Sequence, residues 1–327
     1  PYVNLHADSP DDGFPAFMDS PRYATGYTTL FNIPGTVAET HMLKPYQDRV
    51  KATYEYMRHS INFVDENYLD ISKKMMEELT NYLPNKKYAI RWKLDSTKYS
   101  FIDFKGYEAG KKPSEISGKP RLFYDRNKPF TRKVKFFDTY KADKEIIIPT
   151  YYVIPKSEGK IIENLKRNQI KFKELQSDSL ITVESYKIVD FKTVKNPYEG
   201  HYLHFDTQVS SELKTKKFRK GDYLVSTKQS GVKFLLETLE PEAVDSYFNW
   251  NFFDGILGQK EYFSDYVFED TAAELLKTNK ALKTAFELKK ASDAKFAEDG
   301  AAQLDWVYKN SEYYEGSVNQ YPIYRIR

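Results

Sequence analysis

A chain of 327 residues exceeds what one small core organises, so two or three structural units are expected. With 40% apolar, 16% aromatic and 30% charged residues and a net charge of only +3, the composition excludes a disordered or tail-like chain. There is no cysteine, which excludes disulfides, thiolate zinc sites and cysteine nucleophiles.

The isoelectric point near 8.6 is mildly basic, but the charges are mixed along the chain and do not build a nucleic-acid surface. No run of about 18 apolar residues is present, so no transmembrane segment is expected. The opening "PYVNLHADSPDDGF" is neither a basic nor an apolar leader and reads as an abrupt start, as if cut from a longer chain.

In chain order, residues 1–31 are rich in Pro, Asp, Gly and Ser and read as irregular. "YTTLF" and "TVAE" read as strand material, with Glu39 at the end, and Lys44-Pro45 opens a helix with Pro in its tolerated first turn. Val50, Tyr54, Met57, Ile61 and Val64 recur at helical spacing, which predicts one buried face. A second helical stretch carries Leu69, Met76, Leu79 and Leu83 and stops at Pro84.

From Lys87 to about Leu239 the text turns to short runs rich in Tyr, Phe, Val, Ile and Thr between turn signals, as in "YAIRWKL", "EIIIPTYYVI" and "SLITVESYKIV". These predict a sandwich- or barrel-like β unit. Ile161, Ile162 and Leu165 interrupt it at helical spacing, so a short helix is expected to cross between strands near Val153 and Phe172. "SYFNWNFFDG" is expected to pack between this unit and a helical end, where Thr271–Glu274 has capping-box spacing, Asn279 can cap a helix, and Leu304, Val307 and Tyr308 form an apolar side. The fold class expected is α+β, in three parts: 1–83, 84–258 and 259–327.

"GTVAETHMLKPYQDRVKATYEYM" resembles the end of the catalytic domain of zinc metallocarboxypeptidases of the carboxypeptidase A type. "FMDSPRYATGY", "YEGHYLHF", "LEPEAVDSYFNWNFFDG" and "KEYFSDYVFED" extend the resemblance to a bacterial branch with a β-rich and helical C-terminal extension. The resemblance implies that residues 1–83 are the C-terminal end of an α/β peptidase domain. It also implies that Glu39 is the catalytic carboxylate, that Tyr23 and His41 contact substrate, and that zinc serves the parent enzyme. The implied partners are a peptide substrate and the N-terminal catalytic portion of the same protein, and the implied location is that of an exported protein, periplasmic, cell-surface or extracellular. Neither the family's His-x-x-Glu motif nor its Asn-Arg clamp for the substrate carboxylate occurs here, so no metal ligand is assigned and the chain alone is expected to be inactive.

The residues themselves leave alternatives open. A carboxylate beside a zinc-bound water takes its proton and later donates it to the leaving amine, but Glu39 also suits the dipole of the helix that follows. His41, two positions on, would share its face of a strand and reach it, or is a surface histidine. Tyr23 is one of 27 tyrosines. His201 and His204 in "HYLH" would point to opposite faces of a strand, which is wrong for joint zinc ligation. "RNKPFTRKVKFF" reads as a solvated strand face with an apolar reverse. The function from another class is a non-catalytic module that binds cell-wall peptide or glycan, or packs against the peptidase domain.

Overall fold

The computed structural model describes residues 8–327, whose eight α-helices and three sheets make an α+β protein. Residues 1–7, the start of the expected irregular segment, lie outside the described residues. At the centre is an antiparallel six-stranded sheet in the order β7 (Lys173–Glu174), β10 (Tyr223–Ser226), β6 (Tyr151–Ile154), β11 (Gln320–Ile326), β8 (Ser179–Thr193), β9 (His204–Phe218). Because strand side chains alternate, Tyr152, Ile154, Tyr186, Ile188, Tyr321 and Ile323 share the main core. Val153, Val183, Phe218 and Tyr324 form a smaller cluster on the reverse face.

Two helices close the main face. In α3 (Gly159–Arg167) the expected trio Ile161, Ile162 and Leu165 is buried, and α4 (Val232–Leu239) is buried almost all round. A strand pair, β2 (Lys87–Leu94) with β5 (Tyr140–Ile147), adds Tyr88, Ile90 and Ile146 to the same core. The long hairpin of β3 (Ser100–Pro113) and β4 (Pro120–Phe137) stands apart with its charges in solvent, and β1 (Phe14–Pro15) pairs in parallel with its last residues.

The N-terminal third departs from the sequence reading. "YTTLF" enters helix α1 (Ala24–Thr29), and residues 31–44, including "TVAE", carry no strand. Val37 is 60% exposed and no neighbouring strand offers a ladder, and a lone extended segment does not hold itself. The two expected helical stretches are one 34-residue helix, α2 (Tyr46–Leu79), since neither Gly nor Pro interrupts it. The predicted burial of its apolar face is also overturned. Val50, Tyr54, Met57, Ile61 and Val64 are 48–65% exposed, because nothing among the described residues packs on them.

At the other end, α5 (Asp265–Thr278), α6 (Lys280–Ser292), α7 (Ala294–Glu298) and α8 (Gly300–Lys309) bury Phe268, Phe286, Phe296 and Val307 in a core of their own. Asn279, Asp293 and Asp299 each accept a backbone N–H at a helix start. Thr271 and Glu274 lie inside α5, which begins a turn and a half earlier, so they cap nothing. Tyr247, Phe248 and Phe253 of the aromatic segment enter the sheet core rather than the helical one. After α8 the chain returns as β11, so residues 259–327 are not helical throughout.

β11 is anchored by charge. Arg325 is buried, with one guanidinium nitrogen 2.5 Å from Glu184 and Nε 3.0 Å from Glu240, and it also meets the Tyr186 hydroxyl and the Ile147 carbonyl. Tyr152 donates to Glu240 at 2.5 Å. Burial pushes the Glu240 carboxyl up, and Arg325 pulls it back. Arg325→Leu leaves Glu240 without its cation and is expected to lower stability by about 3–5 kcal/mol. Arg327→Leu, whose side chain is 55% exposed on Glu184, is expected to cost under about 1 kcal/mol. Denaturant midpoints of the two variants measure the contrast.

Candidate functional site

The segment from Phe14 to Phe31 is nailed to the body at several points. Phe14 is buried against Phe104 and Phe136, with ring centroids at 5.8 and 5.4 Å, and the Tyr140 hydroxyl donates to the Ala16 carbonyl at 2.7 Å. Arg22 donates to Asp245 through both its amide (3.0 Å) and its Nε (2.7 Å), and its guanidinium lies 5.4 Å over Trp250, whose indole N–H donates to the same carboxylate at 3.0 Å. Leu30 is buried, and Phe31 stacks on Phe234 at 5.8 Å.

The residues singled out by resemblance sit on and just beyond this segment. Tyr23 precedes α1 in extended conformation, half-exposed, with its ring edge-on to Phe17 at 5.6 Å. Glu39 is exposed in the irregular 31–44 stretch, with no hydrogen bond or ion pair to another described residue. His41 is exposed as well, and its Nδ1 accepts the Leu43 amide at 3.2 Å. The pairing of His41 with Glu39 expected from a strand is therefore not formed, because there is no strand to align them. Nothing brings Tyr23, Glu39 and His41 together among the described residues.

The two histidines of "HYLH" diverge. His204 is buried, its Nε2 3.1 Å from Asp254 and its Nδ1 2.9 Å from the Thr193 hydroxyl, whereas His201 stands beside Trp250 with centroids at 5.3 Å. Among the described residues no group of three His, Cys, Asp or Glu side chains is arranged to hold a metal, so the residues present do not fit a zinc ion. Nor is any described helix long and apolar enough to cross a membrane.

The anchored segment does complete a cavity of about 530 Å³, between its own residues Pro15–Pro21, the Tyr88, Ile90 and Trp92 side chains of β2 and the Lys233–Glu237 side of α4. Its walls include Phe17, Tyr82, Tyr88, Trp92 and Tyr140. At the back is Glu237 of α4, buried, accepting the Tyr88 hydroxyl at 2.8 Å. Burial holds its carboxyl up at about 8, with nearby Asp245 adding to the effect while Tyr88 and Lys233 oppose it. Lys233, one turn earlier on α4, aims its ammonium at Glu78 (3.3 Å) and over the Tyr82 ring (4.5 Å). Tyr82 in turn donates to Glu78 at 2.5 Å, which pulls that carboxyl down.

Sequence reasoning missed Glu237, although "VKFLLETLE" carries a signal in its carboxylate set within an apolar helix, which demands a partner. The sequence matches no family model, and comparison with curated proteins and with solved structures found no match.

Gly26 decides how closely α1 approaches the cavity wall. A Cβ there would lie 2.0 Å from the Ser20 carbonyl oxygen and 2.9 Å from that of Asp19. Gly26→Ala is expected to push α1 off residues 19–20 at a cost of about 1–3 kcal/mol. A lower Tm together with faster limited proteolysis in the 15–30 segment is the expected result.

Proposed function

We propose that this chain is the C-terminal part of a zinc-dependent, exported carboxypeptidase, with Glu39 as its general base. The observation that carries the reading is the bare face of α2. Five apolar side chains at helical spacing lie half or more exposed, and Met42 and Leu43 just before the helix are about 80% exposed. Covering each of the five would contribute about 1 kcal/mol or more at its present exposure, and contiguous apolar surface of this extent marks an interaction face. A missing body of the same domain, seated on α2, would stand beside the 31–44 stretch and give Glu39 the surroundings it lacks here.

In this reading Glu39 takes a proton from the attacking water and returns it to the leaving amine nitrogen, so that a C-terminal residue is released from a peptide. His41 and Tyr23 contact the substrate. The zinc ligands belong to the covering body, since the described residues offer none, and the β-rich and helical remainder is an extension of the enzyme.

The test is made in the protein that joins this chain to its catalytic portion. Glu39→Gln keeps the side-chain shape and removes the base, so kcat for C-terminal residue release is expected to fall by about 10² to 10⁴ while KM and Tm hold. Turnover within about threefold of the unaltered protein would take Glu39 out of the chemistry.

A further inference from the structure

The cavity beneath residues 15–21 has a ligand preference that does not depend on the peptidase reading. Its polar end is one carboxyl, Glu237, whose single protein partner among the described residues is the Tyr88 hydroxyl. No described Lys, Arg or His forms an ion pair with Glu237, Lys233 being engaged by Glu78. Every group that faces it can be named. Tyr88 comes from β2, with Tyr82 edge-on behind it at 5.5 Å. Lys233 comes from its own helix but is turned to Glu78 of α2. Asp245 comes from the segment after α4 and is held by Arg22. Asp19, also lining the cavity, forms no ion pair among the described residues. With Glu237 ionised, the lining carries Asp19 and Glu237 against Lys233, and Glu78 cancels that one cation. The surplus is negative.

The same wall already shows how it holds a cation. The Lys233 ammonium rests between a carboxylate, Glu78, and an aromatic face, Tyr82. Glu237 and Tyr88 repeat that pairing one helical turn on, next to Phe17, Trp92 and Tyr140, without a protein cation. Ammonium ions are attracted to aromatic faces, most strongly when water is excluded, and 530 Å³ is ample for a small ligand.

We infer that this cavity binds a small organic ammonium ion, with the cationic nitrogen against the Glu237 carboxylate and its carbon substituents against the aromatic walls. Binding requires Glu237 ionised, so where its carboxyl is protonated in the free protein the proton leaves to solvent as the cation enters. In the free protein the raised pKa means that the stabilising contribution of Glu237 is fully present below the ordinary carboxylate range and is lost as pH rises toward about 8. Ligand affinity runs the opposite way, rising with pH up to that value.

Isothermal titration of the chain with n-butylammonium and tetramethylammonium chloride, with methyl glucoside as the neutral probe, tests this. Expected are saturable heats for the two cations, an affinity that climbs about tenfold per pH unit below about 8, and proton release revealed by buffers of different ionisation enthalpy. Glu237→Gln should weaken binding by about tenfold or more and abolish the pH dependence, with circular dichroism unchanged. Trp92→Ala, at the half-exposed rim, should weaken binding without touching the carboxyl and serves if the first variant fails to fold. Equal binding of methyl glucoside, an affinity flat between pH 6 and 9, full affinity in Glu237→Gln, or no heat with about 10 mM cation would each overturn the assignment.

Discussion

The architecture depends on the buried contact of Arg325 with Glu240 and Glu184. It joins three distant pieces of chain: the last strand, the end of α4 and the middle of β8. Removing charges from water costs several kcal/mol per ion, and only good geometry with further hydrogen bonds recovers it. Here Tyr152 supplies such a bond to Glu240, and the Tyr186 hydroxyl and the Ile147 carbonyl accept from the terminal guanidinium nitrogens, while Nε faces Glu240 as an ion pair without a hydrogen bond. A register slip of one residue in β11 would turn Arg325 to the other face and leave two carboxylates behind. The cluster therefore fixes where the last strand lies as much as how strongly it is held.

With β11 seated between β6 and β8, α4 is held over the sheet, and α4 presents Glu237 and Lys233 to the space that becomes the cavity. The N-terminal segment closes that space from outside through independent ties, Phe14 in the β-hairpin and Arg22 on Asp245. Asp245 acts twice: it anchors Arg22 and Trp250, and its charge helps to keep Glu237 protonated. The wall and the carboxyl behind it are thus coupled through one aspartate. The terminal helices contribute nothing to this site. Their separate core makes them a satellite threaded between the sheet and its own last strand.

Two surfaces of different character result. One is the bare stripe of α2, extended and apolar, suited to a protein body and adjoining Glu39. The other is a compact aromatic cavity with one carboxyl, suited to a small ligand. One helix links them, because Glu78, near the C-terminus of α2 and several turns beyond the stripe, receives Lys233 and Tyr82 from the cavity wall. Whatever covers α2 would sit on the helix that carries this ion pair.

Local physics in the sequence was enough for elements defined by their own spacing. Ile161, Ile162 and Leu165 specify α3 and Asn279 specifies a cap, since each signal lies within a turn or two of chain, whereas Tyr46–Leu79 reads as helical but as two stretches where the structure has one. Periodicity tells which residues share a face but not what meets it, so the stripe of α2 was legible and its exposure was not. "TVAE" has strand composition, yet a strand exists only with a neighbour to bond, and tertiary structure provides none. Glu237 and Tyr88 stand 149 positions apart, and Arg325 lies 141 from Glu184 by the same measure. Pairings over such separations are chosen by the burial that the whole fold imposes. No local pattern encodes them: Glu39 was singled out through a family resemblance, Glu237 was marked only as a carboxylate in an apolar helix, and the tertiary structure alone chose Tyr88 as its partner at the back of the cavity.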